Sequence, residues 1–395
     1  MARTLVLGAA VIVLGLLLAE GLCRLWLPLG EPLLRLDETL LHVNRRAARS
    51  MHILDEANGG DWIQLRTNDH GLRGAALLPR GQELRVAVYG DSFVFAGNAR
   101  EEETFVARLG VELERELERP VEALNAGVTG YGPDQALLKF EGEQEALDPD
   151  LIVLCLCAHN DHGDLVRNRL FDLDGQGELR RLRPTLAPEL VSMEAERTAG
   201  SGSWIVTRLF AASGASARPL PERDLPYLAW YLRATRAEYL LTKGTGQPQV
   251  LSLFEDYWDA DLALEPDSAS ASHKRSLMVA VLARFQATCT ERGIPLFAVV
   301  IPAAIDAADG HPLRVDRALY PRYERRALTN ALGSALEQSA IPHTDLFETL
   351  CAAGGDWAFH LEGDFHWSPR GQEAAAKAVA PALAAAFSGT GELPR

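Results

Sequence analysis

Positive charge is in deficit. Against 54 Asp and Glu the sequence sets 39 Lys and Arg, a formal net charge of -15 over 395 residues, and a chain of that sign repels a phosphate backbone. Nucleic acid is thereby excluded as the main ligand. Cysteine is scarce as well: the five, at 23, 155, 157, 289 and 351, are too few and too scattered for a disulfide framework. No Cys-x-x-Cys or Cys/His spacing marks a zinc site, so neither metal nor cofactor is expected. Aromatic residues make up 7%, which leaves a core built from aliphatic side chains. The 47% hydrophobic and 24% charged content is nonetheless that of a globular body, either two average domains or one large α/β domain with insertions. No internal repeat or long low-complexity tract is evident.

Charge is missing altogether from Thr4 to Ala19, a run preceded by Arg3 and followed by Glu20 and Arg24. The run is short for a hydrocarbon core, but charges near one end can pair or snorkel, and residues 1–30 read as an N-terminal membrane anchor. Retention is favoured over cleavage, because the stretch after the run lacks a small-x-small site and Cys23 follows Leu22. With Arg3 on the short side, the remainder is expected to be periplasmic or extracellular. Cys155 and Cys157 alternate along an apolar run and share one strand face, the arrangement of buried free thiols.

Residues 31–80 are mixed, with turn signals at Asn58-Gly59-Gly60 and Asn68-Asp69-His70-Gly71, and read as a membrane-proximal lead-in. A regular pattern follows: strand Leu84 to Tyr89, helix Glu101 to Arg119, strand Val121 to Leu124, helix Pro133 to Leu147, and the continuously apolar strand Leu151 to Cys157. It resumes with helix Ser272 to Arg292, strand Pro295 to Ile301 stopped by Pro302, helix Tyr320 to Ser339, and an Ala-rich helix from Pro369 to Phe387. Such alternation predicts a doubly wound parallel sheet over 81–390 with its site at the strand carboxyl ends. Between about 165 and 270 the alternation lapses. That stretch reads as a large insertion shaping the substrate cleft, with Tyr227, Trp230 and Tyr231 as a packing stripe rather than a binding platform.

The chemistry gathers at the predicted rim. Gly90-Asp91-Ser92 ends the first strand, where a small residue lets the chain turn sharply and lift a serine hydroxyl above the sheet. Taken alone, the tripeptide is equally a turn with a helix-capping serine. Asn125-Ala126-Gly127 ends the second strand, His159-Asn160-Asp161 the third, and Gly363-Asp364-Phe365-His366-Trp367-Ser368-Pro369 precedes the last helix. A serine needs a histidine to take its proton, and that histidine needs a carboxylate to fix its tautomer. Ser92, His366 and Asp364 supply these parts. The Ser92 and Gly127 N–H groups and the Asn160 amide are the right donors for an oxyanion. A second pair, Asp356 and His360, is set aside because Asp364 and His366 abut the final helix. His159 and His162 read as solvated or hydrogen-bonded rim residues, Asp161 as a loop holder and Asp91 as a helix cap without a catalytic role. Trp357 and Trp367 read equally as core packing or as sugar-stacking surfaces. Glu112 to Arg119 reads as a solvated helix face.

Through Gly90-Asp91-Ser92, Gly127, Asn160-Asp161 and Asp364/His366, the sequence resembles the SGNH hydrolase superfamily, also called GDSL esterases. The resemblance runs from about Leu84 to Phe387, and Asn68 to Gly74 is similar to the Asn-x-x-Gly-x-Arg-Gly lead-in of bacterial membrane-anchored members. It implies a flavodoxin-like three-layer α/β/α sandwich and cofactor-free ester chemistry. It also implies the roles: Ser92 as nucleophile, His366 as base, Asp364 as its orienting acid, and Gly127 and Asn160 with Ser92 in the oxyanion hole. Many members place the acid three residues before the histidine. Here the spacing is two, as in relatives that acetylate exopolysaccharides.

The leading expectation is an anchored serine esterase removing an acyl group, acetate above all, from a carbohydrate through an acyl-Ser92 intermediate. An O-acyltransferase for a surface polysaccharide shares that intermediate. A catalytically idle glycan-binding or assembly protein is the reading from another class.

Overall fold

The apolar run at the N-terminus forms helix α1, Ala2–Trp26, and its side chains, Val6, Leu7, Val11, Ile12, Leu14 and Leu17 among them, are exposed. Its uncharged part, Thr4 to Ala19, rises about 24 Å against a hydrocarbon core of ~30 Å. Among the described residues, no helix is long and apolar enough to cross a membrane. The expected spanning helix is therefore corrected to an exposed apolar helix. The structure is a computed structural model and describes residues 2–26, 33–53, 62–182, 238–243, 248–252, 259–361 and 365–388.

The lead-in folds into two antiparallel hairpins, β1 (Leu34–Asp37) with β2 (Leu41–Asn44) and β3 (Arg49–Ile53) with β4 (Trp62–Arg66). Burial alternates along β4, as period-two side-chain geometry requires. Ile63 and Leu65 face inward, in one cluster with Leu33, Ala48 and Phe95. The lead-in thus packs on the segment just after Ser92.

The central sheet has five parallel strands. They are β5 (Leu84–Tyr89), β6 (Val121–Asn125), β7 (Leu151–Cys157), β12 (Leu296–Ile301) and β14 (His343–Asp345), in the spatial order β14-β12-β7-β5-β6. Every residue of β5, β7 and β12 is buried, the signature of strands covered on both faces. On one face Tyr89, Leu154 and Val300 pack with Phe140 and Phe285, whose helices are Pro133–Leu147 and Ala269–Arg292. On the other, Val88, Cys155 and Val299 pack with Leu109 and Val379, from Phe105–Leu117 and Pro369–Ser388. Three layers result, as the resemblance implies. The chain leaves β5 for β6 on one side, then crosses to β7 on the other, so the order reverses at β5. In doubly wound sheets ligands bind in the crevice at such a reversal.

Local capping moved several expected boundaries. The helix expected from Glu101 is a 3-10 turn, Glu101–Glu103, followed by α3 (Phe105–Leu117), because the Thr104 hydroxyl accepts the Ala107 N–H at 3.2 Å and starts the helix there. Ser268 caps the helix Ala269–Arg292 in the same way, earlier than expected. The helix expected from Tyr320 starts at Ala327. Strand β14 was not expected; it is three half-buried residues long and polar. Of the insertion, β8 (Phe171–Leu173) pairs with β9 (Leu179–Arg181), while β10 (Glu238–Lys243) lies between β11 (Pro248–Ser252) and β13 (Leu313–Arg314). Tyr227, Trp230 and Tyr231 fall outside the described residues. Cys155 and Cys157 are buried free thiols on one face of the sheet; Cys289 is a buried free thiol on its helix, packed on the other face, and Cys351 is free and half-buried.

Candidate active site

Ser92 opens α2 (Ser92–Phe95), a single helical turn at the end of β5. Gly90 makes the turn possible: a Cβ there would lie 2.5 Å from Val94 Cγ2 and 3.1 Å from the Cys155 carbonyl oxygen. Asp91 caps the turn, its Oδ1 accepting the Phe93 N–H at 2.8 Å. From the far end of the chain, His366 Nε2 comes within 2.7 Å of Ser92 Oγ. With the proton on Nδ1, Nε2 accepts from the serine hydroxyl, the arrangement general-base activation needs.

One helical turn cannot satisfy its own carbonyls, and here distant side chains do so. Trp367 Nε1 donates to the Phe93 carbonyl at 2.9 Å and Asn125 Nδ2 to the Val94 carbonyl at 2.8 Å. The Arg73 guanidinium donates to the carbonyls of Phe95, Ala96 and Ala99, the last at 2.6 Å. Segments far apart in the sequence are thus tied to the Ser92 turn.

Gly127 packs directly on that turn, where a Cβ would lie 2.4 Å from the Phe95 nitrogen. Its N–H donates to Asn125 Oδ1 at 3.1 Å and its carbonyl accepts from Asn44 Nδ2 at 3.0 Å. Asn160, buried at the head of α5 (Asp161–Asn168), donates through Nδ2 to Asp164 at 2.9 Å and to Asp91 at 3.3 Å. Two of the three expected oxyanion donors, the Gly127 N–H and the Asn160 amide, are already engaged here, so receiving an oxyanion means redirecting or sharing those bonds. The structure unites Ser92 with His366 and lays Gly127 against Val94 and Phe95, with Asn160 bonded to Asp91. Asp364 lies outside the described residues.

A line of carboxyls runs beneath the site. Burial pushes Asp91 up, opposed in part by the Phe93 N–H and the nearby His366, and pushes Asp161 and Asp164 well above the usual carboxylate range. Asp161 holds its loop by accepting the Cys157 N–H at 2.7 Å, as expected. His159 is lowered to about 4 by burial first, then by the charges of His311 and His366. Burial, then Lys274, lowers His162 to about 3, and its backbone N–H donates to Asp259 at 3.0 Å. Lys274 is itself buried, 2.7 Å from Asp261. Among the described residues, no group of three or more His, Cys, Asp or Glu is arranged to hold a metal ion.

Asp356 accepts the Gly310 N–H at 2.5 Å, and the His360 backbone pairs with His366 and Phe365. Trp367 is fully buried against Phe93 and Phe105 and presents no face to a sugar. Half-buried Trp357 donates to the Ala352 carbonyl and lies 5.6 Å from the Arg370 guanidinium. Sequence reasoning had no role for Asn44, Arg73 or the Asn125 amide. For Arg73 the signal was the Asn68 to Gly74 motif, and for Asn125 its place two residues before Gly127.

Residues 257–395 match the family described as SGNH hydrolase-like domain, acetyltransferase AlgX. No curated protein matches the chain. Solved structures similar to it include a catalytic mutant of Axe2, an acetylxylan esterase from Geobacillus stearothermophilus, at 12% identity over 78% of this chain and 96% of that one, TM-score 0.37. TesA is similar at 13% identity over 76% and 97%, TM-score 0.36. A GDSL-like lipase from Bacteroides thetaiotaomicron is similar at 10% over 77% and 89%, TM-score 0.33. At such scores these likenesses carry no argument of their own. The family match covers residues 257–395 and so includes His366, which the structure pairs with the serine of Gly90-Asp91-Ser92.

Proposed function

We propose that this protein is an SGNH-type serine esterase that takes an acyl group, acetate above all, from a carbohydrate ester onto Ser92. The observation that carries the reading is the 2.7 Å contact between His366 Nε2 and Ser92 Oγ. His366 accepts the hydroxyl proton as Oγ attacks the ester carbonyl, then returns it to the departing alcohol oxygen, leaving acyl-Ser92. Asp364 orients His366, and the Ser92 N–H, Gly127 N–H and Asn160 amide receive the oxyanion, Gly127 by turning from Asn125 and Asn160 by turning from Asp164 and Asp91. Water then attacks the acyl-enzyme with His366 again as base, and acetate leaves.

A second reading is favoured by the match of residues 257–395 to a family described with an acetyltransferase. In it a polysaccharide hydroxyl replaces water as the attacking group, and the same intermediate yields an O-acetylated glycan. The chain is in either case held at a membrane through the exposed apolar surface of α1, with the catalytic body outside the cytoplasm. Flotation of the full-length protein with lipid vesicles tests that placement, and failure to float would remove it.

The deciding experiment compares wild type, Ser92→Ala and His366→Ala for acetate release from p-nitrophenyl acetate and acetylated xylan, with and without glycan acceptors. Loss of turnover in both variants is expected. Acceptor-dependent appearance of acetylated glycan selects transfer, and release indifferent to acceptors selects hydrolysis. Equal background rates in all three proteins would defeat both readings.

A further inference from the structure

The Asn68 to Gly74 segment lies before the central sheet, yet one of its side chains reaches the far end of the Ser92 turn. Arg73 is 6% exposed, and its backbone N–H donates to the Asn125 carbonyl at 3.0 Å, the residue that also holds Gly127. Asn68 shapes the turn that delivers it, accepting the N–H groups of His70 at 2.9 Å and Leu72 at 3.1 Å. Gly71 supplies the left-handed backbone there, with φ of 80°. The guanidinium then spans three carbonyls at and beyond the carboxyl end of α2 and lies 5.4 Å from the centroid of the Phe95 ring.

The geometry points to Arg73 as a positioning residue for the nucleophile, holding the Ser92 turn from behind so that its hydroxyl meets His366 and its N–H faces the oxyanion. The inference rests on the serine reading above. Three features support it. A one-turn helix has too few internal bonds to hold its own shape, so a fork that takes the carbonyls of Phe95, Ala96 and Ala99 together fixes its exit. Ala96, between them, is itself left-handed, with φ of 52°, a conformation an alanine adopts when its surroundings impose it. A cation at the carboxyl end and the Asp91 carboxylate at the amino end each face the favourable pole of the turn. Burial lowers Arg73 to about 10, which leaves it charged at neutral pH. Lysine, a point charge without the fork, cannot span the same three carbonyls.

The test is the rate of covalent labelling of Ser92 by a fluorophosphonate, which needs an activated serine but no particular acyl substrate. It is measured on full-length wild type, Arg73→Ala and Arg73→Lys, with thermal unfolding followed in parallel. A displacement on the scale of 1 Å costs roughly 10²-fold in rate. Labelling of Arg73→Ala is expected to slow by about that factor while the protein remains folded, and tens of millimolar guanidinium is expected to restore part of it. Guanidinium should leave Ser92→Ala unlabelled. Arg73→Lys is expected to fall between, losing kcat for p-nitrophenyl acetate with KM little changed. If Arg73→Ala does not fold, Arg73→Lys decides alone: labelling at the wild-type rate overturns the inference, and slowed labelling of a folded protein supports it. Slowed labelling of folded Arg73→Ala that guanidinium leaves unimproved also overturns it. A wild type that resists labelling would instead remove the serine reading and this inference with it.

Discussion

Ser92 and His366 meet across one hydrogen bond but are held in different ways. Ser92 sits on a turn whose carbonyls are taken by Trp367, Asn125 and Arg73, and whose capping carboxylate is bonded by Asn160. Every one of these partners is remote in sequence. His366 sits in a segment that pairs mainly with itself: Phe365 N–H to the His360 carbonyl at 2.7 Å, His360 N–H to the His366 carbonyl at 2.8 Å, and Ser368 N–H to the Ala358 carbonyl at 2.8 Å. Ser92 is fixed by the whole molecule and His366 by its own neighbourhood. Trp367 belongs to both. Damage to distant segments should accordingly reach the serine first.

Trp367→Ala breaks the shared element and should have the largest effect on stability, about 3–5 kcal/mol by urea denaturation. Trp367→Phe keeps most of the volume and isolates the bond to the Phe93 carbonyl. If Trp367→Ala cost under ~1 kcal/mol, the two regions would not be joined there.

Acid probes the remote supports. His42, in the lead-in, is buried against the Thr129 carbonyl at 2.8 Å, and burial lowers it to about 4 from 6.5. The folded state therefore binds fewer protons than the unfolded chain between those values. Stability from this group is complete above pH 6.5 and is lost as pH falls toward about 4, by up to about 3 kcal/mol. Unfolding measured across that window should show a shallower slope in His42→Gln, and an unchanged slope would refute the assignment.

Asn125→Ala leaves the Val94 carbonyl and the Gly127 N–H without their side-chain partner, at an expected cost of about 1–3 kcal/mol. Because Gly127 is then unguided, turnover should fall by more than stability predicts, as judged by kcat on protein shown to be folded. Equal, small losses in both would mean Asn125 merely packs.

Phe365→Gly should have the smallest effect. Phe365 is left-handed, with φ of 59°, and its ring lies 4.7 Å from that of His311. Glycine relieves the backbone by roughly what it costs in unfolded-chain entropy, so stability should shift by no more than about 1 kcal/mol. A larger loss in calorimetry would show that the His311 contact, rather than local pairing, holds the base segment.

Much of this was legible in the sequence. β5, β7 and β12 announce themselves as apolar runs because both faces are buried, and Ser92 and His366 stand at points where those runs stop or the final helix begins. β14 escaped notice because an edge strand of three half-buried residues, His343–Asp345, carries no hydrophobic pattern. Arg73 and Asn44 act by donating to backbone carbonyls of other segments, and a carbonyl leaves no mark on the identity of the residue that bears it. Helix starts at Phe105 and Ala269 turned on the Thr104 and Ser268 hydroxyls, which outweighed the acidic and apolar patterns around them.

Ser92 and His366 are 274 residues apart along the chain. The helix that follows the base docks on α3, where Gln372 Oε1 accepts the Phe105 N–H at 2.8 Å. During synthesis the serine turn emerges long before its histidine exists, and closing so large a loop is an entropically late event. Under the proposed mechanism a nascent or truncated chain carries Ser92 as an ordinary alcohol until the carboxyl-terminal helix settles and brings His366 to it. Loss of the last few dozen residues should thus abolish chemistry outright rather than weaken it by degrees.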